Sequence, residues 1–171
     1  MSELDEAWAA ALLEAERRAR LAGRGDIAEY LSLKNSNDLL RKAGVEWLFD
    51  EFMALAAQAN RAGASIQMSK QEGHRFRTGA STMVGHLLTL SNGVRTLFIE
   101  AGWPRTPRDG FIRGGGLAAA NIRHLGIRTA NEELLLAKST AGKPAWRSDK
   151  HKSLQTSHLH RHLTILLDQH R

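Results

Sequence analysis

The sequence predicts an α+β protein with an N-terminal helical segment, an antiparallel β meander of about five strands, and a C-terminal helix. Three observations predict it. Apolar residues recur at spacings of three and four as far as Gly63, alternation with polar residues takes over beyond it, and helical spacing returns in the last fifteen residues. Helices, then strands, then a helix is the order of an α+β fold, not the βαβ alternation of a doubly wound sheet. The boundaries are residues 1–63 for the helical segment, 64–147 for the sheet, and 148–171 for a linker and final helix. A length of 171 residues fits one globular domain overall.

Leu4, Trp8, Ala11, Leu12, Ala15, Ala19 and Ala22 form the apolar face of a first helix, and Ser2 before Asp5 supplies its N-cap signal. Val45, Leu48, Phe49, Phe52, Ala56 and Ala59 mark a second long helix that Gly63 stops in a left-handed C-cap. One or two short helices are expected between them, the first opened by Asp26 and Glu29, the second capped by Ser36 or Asn37 and running over Asp38–Ala43. Arg24-Gly25-Asp26 reads as the turn between helices.

Ile66 and Met68 alternate with polar neighbours, and Phe76 sits between Arg75 and Arg77, as in a strand. Asn92-Gly93 lies between two apolar runs and predicts a type I′ hairpin turn. In that register Leu90 faces Arg95, Leu88 faces Leu97, His86 faces Ile99 and Val84 faces Ala101 on the core side. Leu87, Gly85, Phe98 and Glu100 fall on the other side. Further strands are expected at Leu117–Leu125, Glu133–Lys138 and Lys143–Trp146, the last two joined around Ala141-Gly142. Arg147–Ser153 reads as a linker, and Leu159, Leu163, Leu166, Leu167 and His170 as the spacing of a final helix.

Composition bounds the chemistry. The absence of cysteine excludes disulfides, zinc-thiolate and iron-sulfur sites and thiol catalysis. Acidic Glu3, Asp5 and Glu6 near the start and the lack of an 18-residue apolar run lead us to expect a cytoplasmic protein without membrane contact. Charge is divided: residues 1–60 hold seven Lys/Arg against eleven Asp/Glu, whereas the rest hold seventeen against seven and all eight histidines. A basic second part points to an anionic partner, nucleic acid or another polyanion.

Four constellations are candidates for function. The segment from Gly102 to Gly116 is long for a strand connection. It combines Arg105, Arg108 and Arg113 with the bare amides of Gly114, Gly115 and Gly116, which is what a phosphate or carboxylate requires. Trp103 opens it and would stack on a ring or a guanidinium. Neither a Walker loop nor a dinucleotide fingerprint is present, because no Lys-Ser/Thr ending and no helix follow the glycines. An alternative polar pocket would use His86, Arg123 and His124, although Glu100 faces away from His86 in the hairpin. His158 and His162 share a helix face while His160 points away, so the three cannot hold one metal, and no metal or other cofactor is expected. Finally, Ile27–Leu33 with Asn37, Arg41 and Lys42 looks like a helix-turn-helix, but Asp38 stands where that motif wants an apolar side chain and the segment lacks net positive charge.

The leading expectation is a non-catalytic protein that engages nucleic acid or another polyanion through a basic sheet and the arginine/glycine loop. The alternatives are an enzyme or small-ligand pocket built on His86 or His124 with a loop arginine, and a protein-interaction module that pairs with a partner or a second copy through the helical face, burying Trp8 or Phe52.

Overall fold

The computed structural model describes residues 3–168, so the N-cap reading of Ser2 and the place of His170 in the last helix lie outside the described residues. Two helices, α1 (Glu3–Leu21) and α2 (Gly25–Arg61), precede six strands: β1 (Gln67–Thr78), β2 (Ser81–Asn92), β3 (Arg95–Trp103), β4 (Ala118–His124), β5 (Glu132–Lys138) and β6 (Pro144–Arg147). Helix α3 (Thr156–Leu167) follows. The strands lie side by side in chain order, every neighbouring pair antiparallel. The fold is therefore α+β as expected, with one strand more than the five anticipated.

The short helices expected between residues 26 and 43 do not exist as separate elements. A single helix of 37 residues runs from Gly25 to Arg61, and Ser36-Asn37 sits inside it. Those two residues cost a helix only a few tenths of a kcal/mol each, and contacts just beyond them carry the helix through. Asp38 pairs with Arg41 one turn on, at 2.7 Å. Gly44 leaves room for Leu136, whose side chain lies 2.5 Å from where a Cβ would stand, and its carbonyl accepts the indole N–H of Trp146. With no turn between two helices, the helix-turn-helix reading of Ile27–Lys42 is overturned. The C-terminus of α2 follows expectation: Gly63 has φ 106°, its N–H bonds to the Asn60 carbonyl and that of Ala64 to the Ala59 carbonyl, a Schellman closure.

The second half of α2 and the whole of α3 cover one face of the sheet. Leu48, Phe49, Phe52 and Ala56 of α2 meet Leu88, Leu90, Leu97, Ile99, Ile122 and Leu136 of the sheet and Leu159, Leu163 and Leu166 of α3 in one core. Phe52 lies wholly inside it and offers nothing to a partner. The first half of α2 extends past the sheet and pairs with α1, where Asp5 and Leu12 are the buried residues of α1. Leu4 and Trp8, expected on a packed face, are 78% and 49% exposed.

The β2–β3 hairpin keeps the predicted faces but not the predicted register. Its turn is Gly93-Val94, with Asn92 opposite Arg95, so partners slide by two. Leu90 then faces Leu97 and Leu88 faces Ile99, joining fully buried side chains that the Asn-Gly register would have set against Arg95 and Leu97. Gly93, at φ 62°, holds the first central position, where a type II′ turn needs glycine.

Candidate anion-binding site

The sheet face away from the helices is built by a single inserted residue. Through Glu72, β1 places its even-numbered side chains toward the helices; the register breaks at Gly73, whose φ of 66° accommodates a bulge, and His74 then lies opposite Gly85 on the outer face. There His74 Nε2 reaches Glu100 Oε2 at 2.8 Å, Asn121 Nδ2 donates to Oε1 at 3.1 Å, and Arg123 lies 3.3 Å from the same oxygen. Glu100, 5% exposed, thus faces away from His86 as the hairpin faces require, and finds its histidine on β1 instead. The guanidinium of Arg123 also lies over the Phe98 ring at 5.2 Å.

Next to this cluster the long β3–β4 connection folds back over the outer face and is fastened at several points. The Asp109 carboxylate accepts the backbone N–H groups of Arg105 and Thr106 at 3.0 and 3.1 Å and an N–H of Arg75 at 3.2 Å. Those backbone N–H groups hold its carboxyl below the ordinary range. Ser81 Oγ donates to the Phe111 carbonyl at 2.7 Å, and a Cβ on Gly110 would stand 2.6 Å from that same hydroxyl. Ile112 packs on Phe76, Met83 and Ala119. Gly114 and Gly115, both at φ 69°, turn the chain, and Gly116 passes so close to Leu135 and Ile112 that a Cβ would collide with both.

The three loop arginines separate into two roles. Arg105 turns inward: it meets Asp5 at 3.1 Å, donates to the Val84 carbonyl from Nε and a terminal nitrogen, and stands over Trp103 with 3.8 Å to the ring centre. The Trp103 ring is thus covered from within the protein and, at 6% exposure, enclosed. Arg108 and Arg113 are exposed and reach no carboxylate among the described residues. Between them stands Phe111, 83% exposed, a residue that sequence reasoning missed. Its signal was its position, the one aromatic between Arg105 and Gly116. Arg75, exposed near the end of β1, reaches the loop through Asp109, and the Ser81–Phe111 hydrogen bond ties the start of β2 to it.

His86, Arg123 and His124 are not brought together. His86 faces the helices, edge-on to Phe49 with ring centres 5.9 Å apart, and its Nδ1 is buried without a partner in the protein. Burial lowers its pKa from the ordinary imidazole value. Arg123 is on the outer face. His124 lies inside, with Nε2 2.8 Å from His162 Nδ1, and His162 Nε2 donates to Glu132 Oε2 at 2.8 Å. Ser148 Oγ donates to the other oxygen of Glu132 at 2.7 Å. The carboxylate, not the imidazole, receives the serine proton, so this chain does not pair a nucleophile with a base.

Of the other helix histidines, His160 is exposed, while His158 stacks on His151 and accepts the N–H of Gln155 at Nδ1. Among the described residues no group of three or more His, Asp or Glu is placed to hold a metal ion, and no helix is long and apolar enough to cross a membrane. No protein-family model, curated protein or solved structure matches the chain.

Proposed function

We propose that the protein binds a polyanion, with single-stranded nucleic acid as the preferred form, at the β3–β4 loop. The observation that carries this reading is Phe111, held 83% exposed between two exposed arginines on a backbone fastened on both sides. An apolar ring of that exposure does nothing for the core. Presented on a fixed chain, it suits stacking against an unpaired base, worth roughly 1–3 kcal/mol per base. Arg108 and Arg113, which flank it in the chain, supply the charge that tracks a phosphate backbone. Compared with the sequence-based set, Arg105 and Trp103 become the support of the loop, Phe111 becomes its contact residue, and Gly114 and Gly115 its turn.

The test is binding of short single-stranded oligonucleotides, measured by fluorescence anisotropy across a range of salt concentrations. Affinity should fall steeply with salt, and Phe111→Ala should weaken binding about tenfold or more while leaving the melting temperature unchanged. Salt-insensitive binding, or a Phe111→Ala variant indistinguishable from the parent, would remove the loop from consideration.

A further inference from the structure

Between α1, the first half of α2 and the end of β3 lies a cavity of about 660 Å³, walled by Trp8, Tyr30, Leu33, Lys34, Trp103 and Arg105 among others. Its volume falls within the roughly 300–1,000 Å³ of small-molecule sites, and its lining of aromatic side chains with a few polar groups is the composition of such sites.

The charges of the wall do not cancel. Asp5 is paired with Arg105 and Asp38 with Arg41, at 3.1 and 2.7 Å. Lys34 is left over: half-buried, it reaches no carboxylate among the described residues, and its ammonium stands 5.6 Å from the centre of the Trp8 ring. A ring face compensates only part of the hydration an ammonium loses on burial, so the position favours an anion. One turn further along α2, Asn37 lines the same cavity and its Oδ1 is buried with no hydrogen-bond partner in the protein. An acceptor left without a partner is an unfavourable arrangement, which a ligand N–H or O–H brought against the wall would relieve.

We propose that this cavity binds a small aromatic monoanion: a flat ring lying among Trp8, Tyr30 and Trp103, one carboxylate on Lys34, and a ring-borne hydrogen-bond donor toward Asn37. A single uncompensated cation sets the charge at one. The site is therefore distinct in ligand and in place from the polyanion surface at Phe111, and neither proposal depends on the other.

Three probes of one ring system test it by titration calorimetry, with the indole N–H signals of Trp8 and Trp103 followed by NMR: indole-3-acetate, the neutral alcohol tryptophol and the cation tryptamine. The carboxylate should bind at least about tenfold tighter than the alcohol and the amine more weakly still, with shifts at Trp8 and Trp103 and not at Trp146. Lys34→Gln, at a position whose side chain is partly in solvent, should erase the preference for acid over alcohol while tryptophol binding persists. Replacing Arg108 and Arg113 by Ala should change none of this. Absence of saturable binding by all three probes up to about 10 mM, equal affinity for acid and alcohol, or an acid preference that survives Lys34→Gln would each overturn the proposal. So would sedimentation showing a dimer that Trp8→Glu converts to monomer, because the occupant would then be a second copy of the chain.

Discussion

Asp5 in the first turn of α1 and Arg105 at the head of the β3–β4 loop meet at 3.1 Å, joining two residues a hundred positions apart. The same guanidinium donates twice to the Val84 carbonyl and covers the Trp103 ring, so one side chain ties α1, β2 and the end of β3 together. Arg105→Ala should lower stability by about 1–3 kcal/mol, since it takes a charged partner from a nearly buried carboxylate and donors from a carbonyl. Chemical denaturation with an unchanged m-value would measure it. A loss below a few tenths of a kcal/mol, together with weakened oligonucleotide binding, would mean that Arg105 belongs to the anion surface after all.

Glycines of two kinds occur in the β2–β3 hairpin, and they should respond differently to substitution. Gly93 has φ 62° and open space around it, so Gly93→Val should cost about 1 kcal/mol through backbone strain alone. Gly102 has ordinary φ, but its Cβ would stand 2.4 Å from the Val84 carbonyl oxygen, and the opposing Gly85 is equally closed by the backbone of Ala101. Neither strand can yield without breaking the ladder. Gly102→Ala should therefore cost about 3 kcal/mol or more, despite being the smaller chemical change. Equal urea midpoints for the two variants would contradict this ranking.

How far the sequence could be read depended on whether a feature is local. Period-3.6 and period-2 patterns report which side of an element is apolar, and both faces of β2 and β3 came out correctly from them. Register is a different quantity. Choosing between Asn92-Gly93 and Gly93-Val94 shifts partners by two and preserves the faces, so hydrophobic alternation cannot separate them; the deciding term is Leu90 meeting Leu97, a cross-strand contact that a turn dipeptide does not encode. The unbroken α2 was missed for a similar reason, because Ser36-Asn37 signals a cap locally while the fit of Leu136 against Gly44 and the Trp146 hydrogen bond to its carbonyl, both distant in sequence, decide otherwise. At the candidate site, the long loop and its arginines were visible as composition. That Arg105 turns inward to Asp5 could not be, since nothing in the spacing of two residues so far apart places them together.

Stability should fall steadily on acidification, from the buried chain His124–His162–Glu132. Burial, with the neighbouring His162 and Arg95 charges, pushes His124 down to about 4 from an ordinary 6.5. The hydrogen bond from His162 holds Glu132 at about 2, against an ordinary 4.5. Between pH 6.5 and 4 the unfolded chain binds a proton at His124 that the folded chain does not, so folding weakens as pH falls through that window, and His86, lowered by burial, acts in the same direction. From pH 4.5 down to 2, Glu132 continues the loss. One such proton contributes at most ~1.4 kcal/mol per pH unit. Melting temperatures measured from pH 7 to 4 should decline, and His124→Gln should flatten that part of the curve. A parent protein with constant stability across this range would count against a neutral buried His124.

The final prediction separates structural from ligand-facing arginines by exchanging which pair is removed. Arg41 donates from Nε to the Leu117 carbonyl at 2.8 Å and pairs with Asp38, and Lys42, 9% exposed, donates to the Asp5 carbonyl at 3.2 Å. Both cations hold the first half of α2 to its surroundings, so Arg41→Ala with Lys42→Ala should lower the melting temperature and leave the salt dependence of oligonucleotide binding as it was. Arg108 and Arg113 are exposed and hold nothing among the described residues, so replacing both by Ala should leave the melting temperature alone. Each phosphate contact they make contributes roughly 0.7 to 0.9 to the slope of log affinity against log salt, and the pair should remove about twice that. Measured on the two double variants with the same oligonucleotide, the effects should cross: one curve shifted in temperature, the other flattened in salt. A slope lost with Arg41 and Lys42 and retained without Arg108 and Arg113 would transfer the anion from the β3–β4 loop to α2.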